Sequence, residues 1–195
     1  MSDLDARLAF VLEIDALKAV LRRNSIRGGE RRENTAEHSW HLALMAIVLA
    51  PHSDAPIDTA RVVEMLLVHD LVEIDAGDTF AYDDVGALTK NAREEAAADR
   101  IFAILPSAQA SELRTLWDEF ESGTSADARF ARAIDRLAPM LLNHENGGAL
   151  WREHALTAAR VRGRNAGIAD GSTELWAAVE GRIDDAERQG WFEPD

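Results

Sequence analysis

Apolar residues recur at three- and four-residue spacing along most of the chain, which predicts a series of amphipathic helices. The first is predicted to end near Arg23, and the glycine-containing segment 24–33 is predicted to be a loop. Asn34 and Glu37 form a capping-box pattern that begins the second helix. Further helices are predicted over residues 57–77, 88–105, 111–121, 125–143, 150–162 and 173–189.

This pattern, together with few Gly and Pro residues and many Ala, Leu, Glu and Arg residues, predicts an all-α fold. A chain of 195 residues suits one domain with a full-sized core. We therefore expect a single-domain helical bundle over residues 1–195, with about six to eight helices.

The third predicted helix, residues 57–77, is apolar on almost every side until it reaches His69, Asp70 and Glu73. A helix of that kind belongs in the middle of a bundle, where an unpaired carboxylate costs roughly several kcal/mol. Successive residues project about 100° apart around a helix. His69 and Asp70 can therefore bind one ion only if it lies between the two neighbouring rows of residues to which they belong. Glu73 lies one turn further on, within reach of that ion's outer shell.

An acidic segment follows this helix, which is predicted to end at Gly77. Asp83 and Asp84 are interpreted as part of a hydrated surface loop. Asp78 differs from them because it follows the helix end directly, on the side that the candidate ligands face.

Two other helices carry a polar residue on an apolar stripe. His38 is spaced with inward-facing apolar residues of the second helix, although His41, one turn on, is a competing candidate. Asp135 is embedded in a stripe of the helix that follows Ser125. Taken alone, Asp135 is better explained by a structural ion pair with Arg132 or Arg136.

Together these helices supply two imidazoles and two carboxylates from His38, His69, Asp70 and Asp135. A mixed nitrogen and oxygen set suits a transition-metal ion better than calcium. Open positions on such an ion admit water and a substrate oxygen, which allows activated-water hydrolysis. We expect one divalent cation as cofactor, with Mn, Co, Zn, Fe, Ni and Mg as candidates.

The net charge of −14 disfavours binding to a nucleic acid polymer or an acidic membrane. A concentrated positive segment contains Arg22, Arg23, Arg27, Arg31 and Arg32. A solvated loop and a phosphate-binding role explain this segment equally well. The chain has no Cys, so it offers no thiolate ligands. Acidic residues near the N-terminus and the lack of a long apolar run predict a cytoplasmic protein.

The ordered set His38, His69-Asp70 and Asp135 resembles the metal-dependent phosphohydrolases of the HD domain superfamily. The segments 33–39 and 67–73, followed by Gly77-Asp78, are similar to the 5′-deoxynucleotidase branch of that superfamily. The resemblance covers roughly residues 8–145, and it leaves the helices predicted over 149–190 without an assigned role.

The resemblance implies that His38, His69, Asp70 and Asp135 bind the cation. It further implies that Glu73 acts on the attacking water or the leaving oxygen, and that Asp78 orients the water or a substrate hydroxyl. Substrate contacts are expected near the end of the first helix, where that branch has a basic residue followed by an aromatic one. Lys18-Ala19 occupies this place without the aromatic ring, and Arg22, Arg23 or Arg27 can replace the phosphate contact.

The resulting hypothesis is a divalent-metal-dependent phosphohydrolase that acts on the phosphomonoester of a nucleotide, such as a 5′-(deoxy)nucleoside monophosphate. Hydrolysis of another phosphorylated metabolite or a signalling nucleotide is the alternative among enzymes. A non-catalytic metal- or nucleotide-binding module is an alternative of another class, and in a third the inward polar residues pair with arginines without a metal. The resemblance also implies a homodimer.

Overall fold

The computed structural model describes residues 2–194, which form a helical bundle with one short β-hairpin. The helices are α1 (Asp3–Glu13), α2 (Thr35–Leu49), α3 (Thr59–Val68), α4 (Glu73–Ala76), α5 (Asp84–Phe102), α6 (Ser107–Ser122), α7 (Ala126–Glu145), α8 (Ala149–Glu153), α9 (Ala158–Asn165) and α10 (Thr173–Arg188). Short 3₁₀ turns cover Ile14–Ala19, Ala50–His52, His69–Val72 and Ala166–Asp170, and the strands are β1 (Leu21–Ser25) and β2 (Arg32–Asn34). The predicted all-α class is confirmed.

Helix α3 lies inside the bundle, where it packs against α2, α6 and α7. Leu42 of α2, Leu66 of α3 and Ile134 of α7 are fully buried in the main hydrophobic cluster. The C-terminal helix α10 adds Val179 and Ile183 to the same cluster. The C-terminal helices are therefore part of the core that supports the centre of the molecule.

The prediction that the first helix continues to Arg23 is wrong. Helix α1 ends at Glu13, a 3₁₀ turn follows, and β1 then pairs antiparallel with β2. The chain reverses through Gly28 and Gly29, whose φ angles of 94° and 75° favour glycine. Segment 24–33 is therefore part of a hairpin, and this hairpin delivers the chain to the capping box at Asn34, which is present as predicted.

The predicted helix over residues 57–77 is divided into α3, the 3₁₀ turn His69–Val72 and α4. Its end at Gly77 is confirmed, since this residue has a φ of 72°. Leu67 is 46% exposed, so the helix is not buried on every side. The 3₁₀ turn begins at His69, where the sequence changes from apolar to polar.

Helix α7 begins at the predicted cap, where the Ser125 side chain accepts a hydrogen bond from the Ala128 amide. It continues through Pro139 to Glu145, so the proline does not end it. The helix predicted over 150–162 is divided into α8 and α9, and Ala155 between them has a φ of 47°. Within residues 2–194, no helix has the length and apolar character required to cross a membrane.

Candidate metal centre and cavity

Three side chains from distant parts of the chain meet at one point in the structure. The ligand atoms of His38, His69 and Asp135 all lie within 4.8 Å of one another. His38 Nε2 is 3.1 Å from Asp135 Oδ1, and His69 Nε2 is 3.7 Å from the same oxygen. The helices α2 and α7 and the turn after α3 each supply one of these groups.

Asp70 lies beside this group of three, as the fourth predicted ligand. Its Oδ2 is 3.1 Å from His69 Nε2 and 4.0 Å from His38 Nε2. The same oxygen accepts a hydrogen bond of 2.8 Å from Arg22 Nη1. Asp70 therefore faces both the imidazoles and a guanidinium group.

Three contacts hold His69 in its orientation. Its Nδ1 lies 2.9 Å from the carbonyl oxygen of Leu66, an acceptor, which fixes the proton on Nδ1. Nε2 then carries a lone pair, and this buried atom has no hydrogen-bond partner. The ring also stacks against Phe120 with centroids 4.6 Å apart, and the Trp117 indole donates to the His69 carbonyl. A lone pair held in this way is suited to coordinate a metal ion.

His38 is oriented by a carboxylate that the sequence analysis did not identify as a site residue. His38 Nδ1 is 3.2 Å from Glu33 Oε2, and both side chains are buried. A carboxylate behind a ligating imidazole fixes its orientation and raises its basicity. Glu33 comes just before the cap of α2 in the sequence, and its proximity to His38 depends on the β2 strand that holds it.

The spacing and chemistry of His38, His69 and Asp135 fit a divalent cation, whereas Asp70 lies close to both imidazoles but outside the group whose ligand atoms are all within 4.8 Å of one another. With metal–ligand bonds of roughly 2.1 Å, neighbouring ligand atoms of an octahedral ion lie roughly 3.0 Å apart and opposite ones roughly 4.2 Å apart. The imidazole–carboxylate distances run from 3.1 to 4.0 Å. A divalent cation would also give the buried Nε2 of His69 the partner that it lacks. The nitrogen and oxygen donors are of the types that such cations bind.

Arg22 is a buried cation in the middle of this acidic group. Its guanidinium lies within 4.0 Å of carboxylate oxygens from Glu33, Asp70, Glu73 and Asp78. Burial lowers the pKa of Arg22, but these carboxylates outweigh it and raise the pKa above its ordinary value. Arg22 is therefore charged, and it compensates part of the negative charge at the centre.

Asp135 does not pair with the arginines of its own helix. Among the described residues, its partners within 4.0 Å are the two imidazoles of His38 and His69. Arg132 instead donates to the carbonyl oxygens of Phe120 and Glu121. The interpretation of Asp135 as part of a structural ion pair with Arg132 or Arg136 is therefore wrong.

Glu73 and Asp78 lie next to the imidazole and carboxylate group. Glu73 is buried, and its Oε2 accepts a hydrogen bond of 2.9 Å from the Thr35 hydroxyl. Burial and the charge of Asp70 raise the pKa of Glu73 well above its ordinary value, against the effect of Arg22. Burial also raises the pKa of Asp78. Both carboxyl groups therefore hold a proton more readily than exposed ones.

A cavity of about 320 Å³ opens onto this centre. Its wall includes Asp70, Glu73, Asp78 and Asp135, together with Arg22 and Arg23. The other two predicted substrate contacts lie outside this wall. Lys18 pairs with Asp15 at the surface, and Arg27 is 80% exposed and pairs with Glu145 at 2.9 Å. His41 packs beside Trp40, so His38 is the histidine of α2 that reaches the centre.

The cavity wall also contains two aromatic residues that the sequence analysis did not consider. Phe80 and Tyr82 pack edge to face with centroids 5.3 Å apart, in the segment after Gly77. The sequence signal that could have identified them is the presence of two aromatic residues at alternate positions of a predicted acidic loop, since large apolar rings are unusual in a hydrated loop.

Comparison with known proteins identifies relatives over most of the chain. A family model described as "HD domain" matches residues 14–176. "5'-deoxynucleotidase HDDC2" of Homo sapiens is 33% identical over 135 residues, which are 69% of this chain and 65% of that protein. This chain therefore spans slightly less than two thirds of that relative's length.

Two solved structures extend the comparison to the whole bundle. A "predicted metal-dependent phosphohydrolase" from Magnetospirillum magnetotacticum MS-1 is 47% identical, with a TM-score of 0.93 over 99% of this chain and 97% of that one. A conserved hypothetical protein from Pyrococcus furiosus is 19% identical, with a TM-score of 0.63 over 93% of this chain and 99% of that one. At that identity, the second likeness concerns the fold alone.

Proposed function

The chain belongs to the HD domain family, and from that premise we propose that it is a divalent-metal-dependent phosphohydrolase. The proposed substrate is the phosphomonoester of a nucleotide, such as a 5′-(deoxy)nucleoside monophosphate. One observation carries the proposal: His38, His69 and Asp135 converge within 4.8 Å, and the buried Nε2 of His69 has no hydrogen-bond partner. The names of the human and Magnetospirillum relatives support the same chemistry.

His38, His69, Asp70 and Asp135 would hold the cation in this proposal. When bound, such an ion polarises a phosphoryl oxygen and lowers the pKa of a bound water toward neutrality. Glu33 keeps the His38 ring in position, and the Leu66 carbonyl does the same for His69. The chain thus presents two imidazoles and two carboxylates at one point, with both rings held in position.

Glu73 would move the proton in the hydrolysis of the phosphomonoester. The Thr35 hydroxyl holds one of its oxygens, and burial together with the charge of Asp70 raises its pKa, so that Glu73 accepts a proton more readily than an exposed carboxylate does. Glu73 would accept a proton from the attacking water and return it to the leaving alcohol oxygen. Asp78, which also lies close to Arg22, would orient the water or a substrate hydroxyl.

Arg22 would bind the phosphoryl group. Its partners in the structure are carboxylates, and a cation bound at the centre would compensate the same charges. The guanidinium could then turn from Asp70 to a substrate oxygen, for which its planar fork is suited. Arg23 lines the mouth of the same cavity, and Phe80 and Tyr82 offer a surface on which a nucleobase can stack.

We propose in addition that two copies of the chain associate through α2. Trp40, Leu44, Ile47 and Val48 form one stripe of this helix, and each is between 44% and 70% exposed. A contiguous apolar stripe of this kind is typical of an interface, and a two-fold axis would place it against itself. Light scattering of Trp40→Glu should give a monomer, whereas Leu88→Glu, at an exposed position of α5, should leave the dimer intact.

The experiment that tests the proposed function is a phosphatase screen of 5′-nucleoside monophosphates, with and without the 2′-hydroxyl, in Mn, Co, Zn or Mg. The Asp135→Asn variant is the matched control, because it removes one ligand charge at nearly constant volume. We expect metal-dependent phosphate release by the wild type and less than about 1% of it in the variant. Metal bound at one ion per chain without turnover of any substrate would indicate a non-catalytic binding module instead.

A further inference from the structure

A second group of cationic residues lines the same cavity as Arg22. Arg132 and Arg136 of α7 and Arg164 of α9 line it together with the predicted ligand Asp135. The chain as a whole carries a net charge of −14. The three guanidinium groups that line this cavity are therefore contrary to the general charge of the molecule.

Two of these arginines lack the acidic partners that neighbouring arginines have. Among residues 2–194, neither Arg136 nor Arg164 has a carboxylate oxygen within 4.0 Å of its guanidinium nitrogens. On the same helix as Arg164, Arg162 pairs with Asp184 and Glu187 at 2.5 and 2.6 Å. The fold thus pairs Arg162 directly with acidic residues of α10 but places no carboxylate oxygen within 4.0 Å of Arg136 or Arg164.

Arg136 and Arg164 lie where this cavity meets a second one. Both line this second cavity, whose wall contains Tyr82 and none of the four candidate metal ligands. Arg136 lies against the backbone at Gly167, and a Cβ atom at that position would collide with its guanidinium. Beside them, the Asn165 amide is within 3.4 Å of the Tyr82 hydroxyl. The junction of the two cavities is thus a polar surface built from α7, α9 and the segment after Gly77.

The mutual repulsion of these arginines is unfavourable in the free protein. Arg136 and Arg164 both line the two adjoining cavities, so their like charges repel each other. An anion between Arg136 and Arg164 would relieve this repulsion. Guanidinium groups bind phosphoryl oxygens through paired, charge-assisted hydrogen bonds, so a phosphoryl group is the ligand that fits.

We propose that Arg136 and Arg164 form a second phosphate subsite, so that the preferred substrate is a nucleotide with two phosphoryl groups at separate positions. This inference rests on the proposed function, since it takes the first phosphoryl group to lie at the metal centre beside Arg22. It deepens that proposal by naming a doubly phosphorylated nucleotide as the substrate class. The second group is a binding determinant and takes no part in the hydrolysis.

Equilibrium binding separates this inference from turnover. The probes are deoxyadenosine 5′-monophosphate, deoxyadenosine 5′-diphosphate and deoxyadenosine 3′,5′-bisphosphate, measured by calorimetry on Mn-loaded protein carrying Glu73→Gln. We expect the bisphosphate to bind at least about tenfold more tightly than the monophosphate, as an added phosphate–arginine contact permits. Tighter binding of the diphosphate than of the bisphosphate would overturn the separate placement of the two groups.

Variants of the arginines identify the source of that preference. Arg136→Gln and Arg164→Gln should each remove most of the preference while changing the monophosphate Kd by less than about twofold. Arg129→Gln on α7 and Arg162→Gln on α9 are the matched controls, because neither residue lines the cavity. Arg164 is exposed, so its variant keeps the test available if Arg136→Gln fails to fold.

The possible failures are distinguishable. Equal Kd values for the bisphosphate and the monophosphate in the parent protein, or an equal loss of preference in the control variants, would overturn the subsite. A preference that depends on Arg136, in a protein that hydrolyses no phosphomonoester, would support the subsite and overturn the proposed activity. Hydrolysis of phosphomonoesters without any preference for the bisphosphate would support the proposed activity and overturn the subsite.

Discussion

Arg22 is the residue whose replacement is most informative about the candidate centre. Its side chain is 13% exposed, and four carboxylates have an oxygen within 4.0 Å of its guanidinium. In the metal-free protein, Arg22→Met leaves these charges without their cation at similar side-chain volume. Breaking a buried ion pair on one side costs about 3–5 kcal/mol. At about 2–4 °C per kcal/mol for a chain of this size, the expected fall in Tm is roughly 6–20 °C.

A bound divalent cation should reduce this deficit, because it compensates the same carboxylates. The assay is thermal unfolding followed by circular dichroism, in EDTA and again with saturating Mn. Arg27→Met is the matched control, since Arg27 forms an exposed ion pair with Glu145. Such a pair contributes at most about 1 kcal/mol, so the control should lower Tm by at most about 4 °C in either condition.

Two results would refute this reasoning about Arg22. In EDTA, a loss of Tm no larger than that of Arg27→Met would mean that the buried carboxylates do not depend on the guanidinium. An Arg22→Met deficit that is the same with and without Mn would mean that the cation and Arg22 do not compensate the same charges. In that case the proposed exchange of Arg22 from Asp70 to substrate would lose its basis.

Four further predictions concern the other parts of the centre. Glu33→Gln should weaken Mn binding by about 10–100-fold in a chelator competition, because it removes the carboxylate behind His38. Glu30→Gln in the hairpin turn is the control and should leave Mn binding unchanged. Equal Mn affinities of the two variants would exclude the positioning role of Glu33. Glu73→Gln should keep one Mn per chain and lose turnover, and wild-type turnover would exclude the proton-transfer role. The pKa of Glu73 is raised in the folded state. The metal-free wild type should therefore lose stability as the pH rises above the ordinary pKa of 4.5 and through the pKa of the folded state. Tm measured against pH should show a smaller loss in Glu73→Gln. Saturation with Mn at about a hundredfold above Kd should raise Tm by roughly 5–11 °C, from about 2.7 kcal/mol of binding linkage, and no rise would argue against a metal centre.

Helical periodicity was sufficient to predict which polar residues face inward. His38 and Asp135 were expected on buried stripes, and the structure brings both side chains to His69. A stripe specifies the direction in which a side chain points along one helix, but it does not specify which other helix it meets. For that reason the sequence left an arginine partner for Asp135 open, and only the packing of α2, α3 and α7 against one another decided the question.

The hairpin shows the limit of the same method. Strands β1 and β2 have five and three residues, and the apolar spacing of the first helix continues through Val20 and Leu21. Nothing in a window of that length separates a strand from a helix end. The inward position of Arg22 follows from the pairing of Leu21 with Asn34, which is a contact between segments. Phe80, Tyr82 and Arg164 likewise reach the cavity through tertiary packing that no local pattern reports.

The charge of the centre also bears on the hypothesis that its polar residues serve the fold alone. A structural network would satisfy its members, because a buried polar group without a partner lowers stability. Here, among residues 2–194, Arg22 is the only arginine or lysine within 4.0 Å of Glu33, Asp70, Glu73 or Asp78, and the buried Nε2 of His69 has no hydrogen-bond partner. One buried cation does not balance these carboxylates and Asp135. The arrangement lowers the stability of the free protein, and a bound divalent cation would account for its presence.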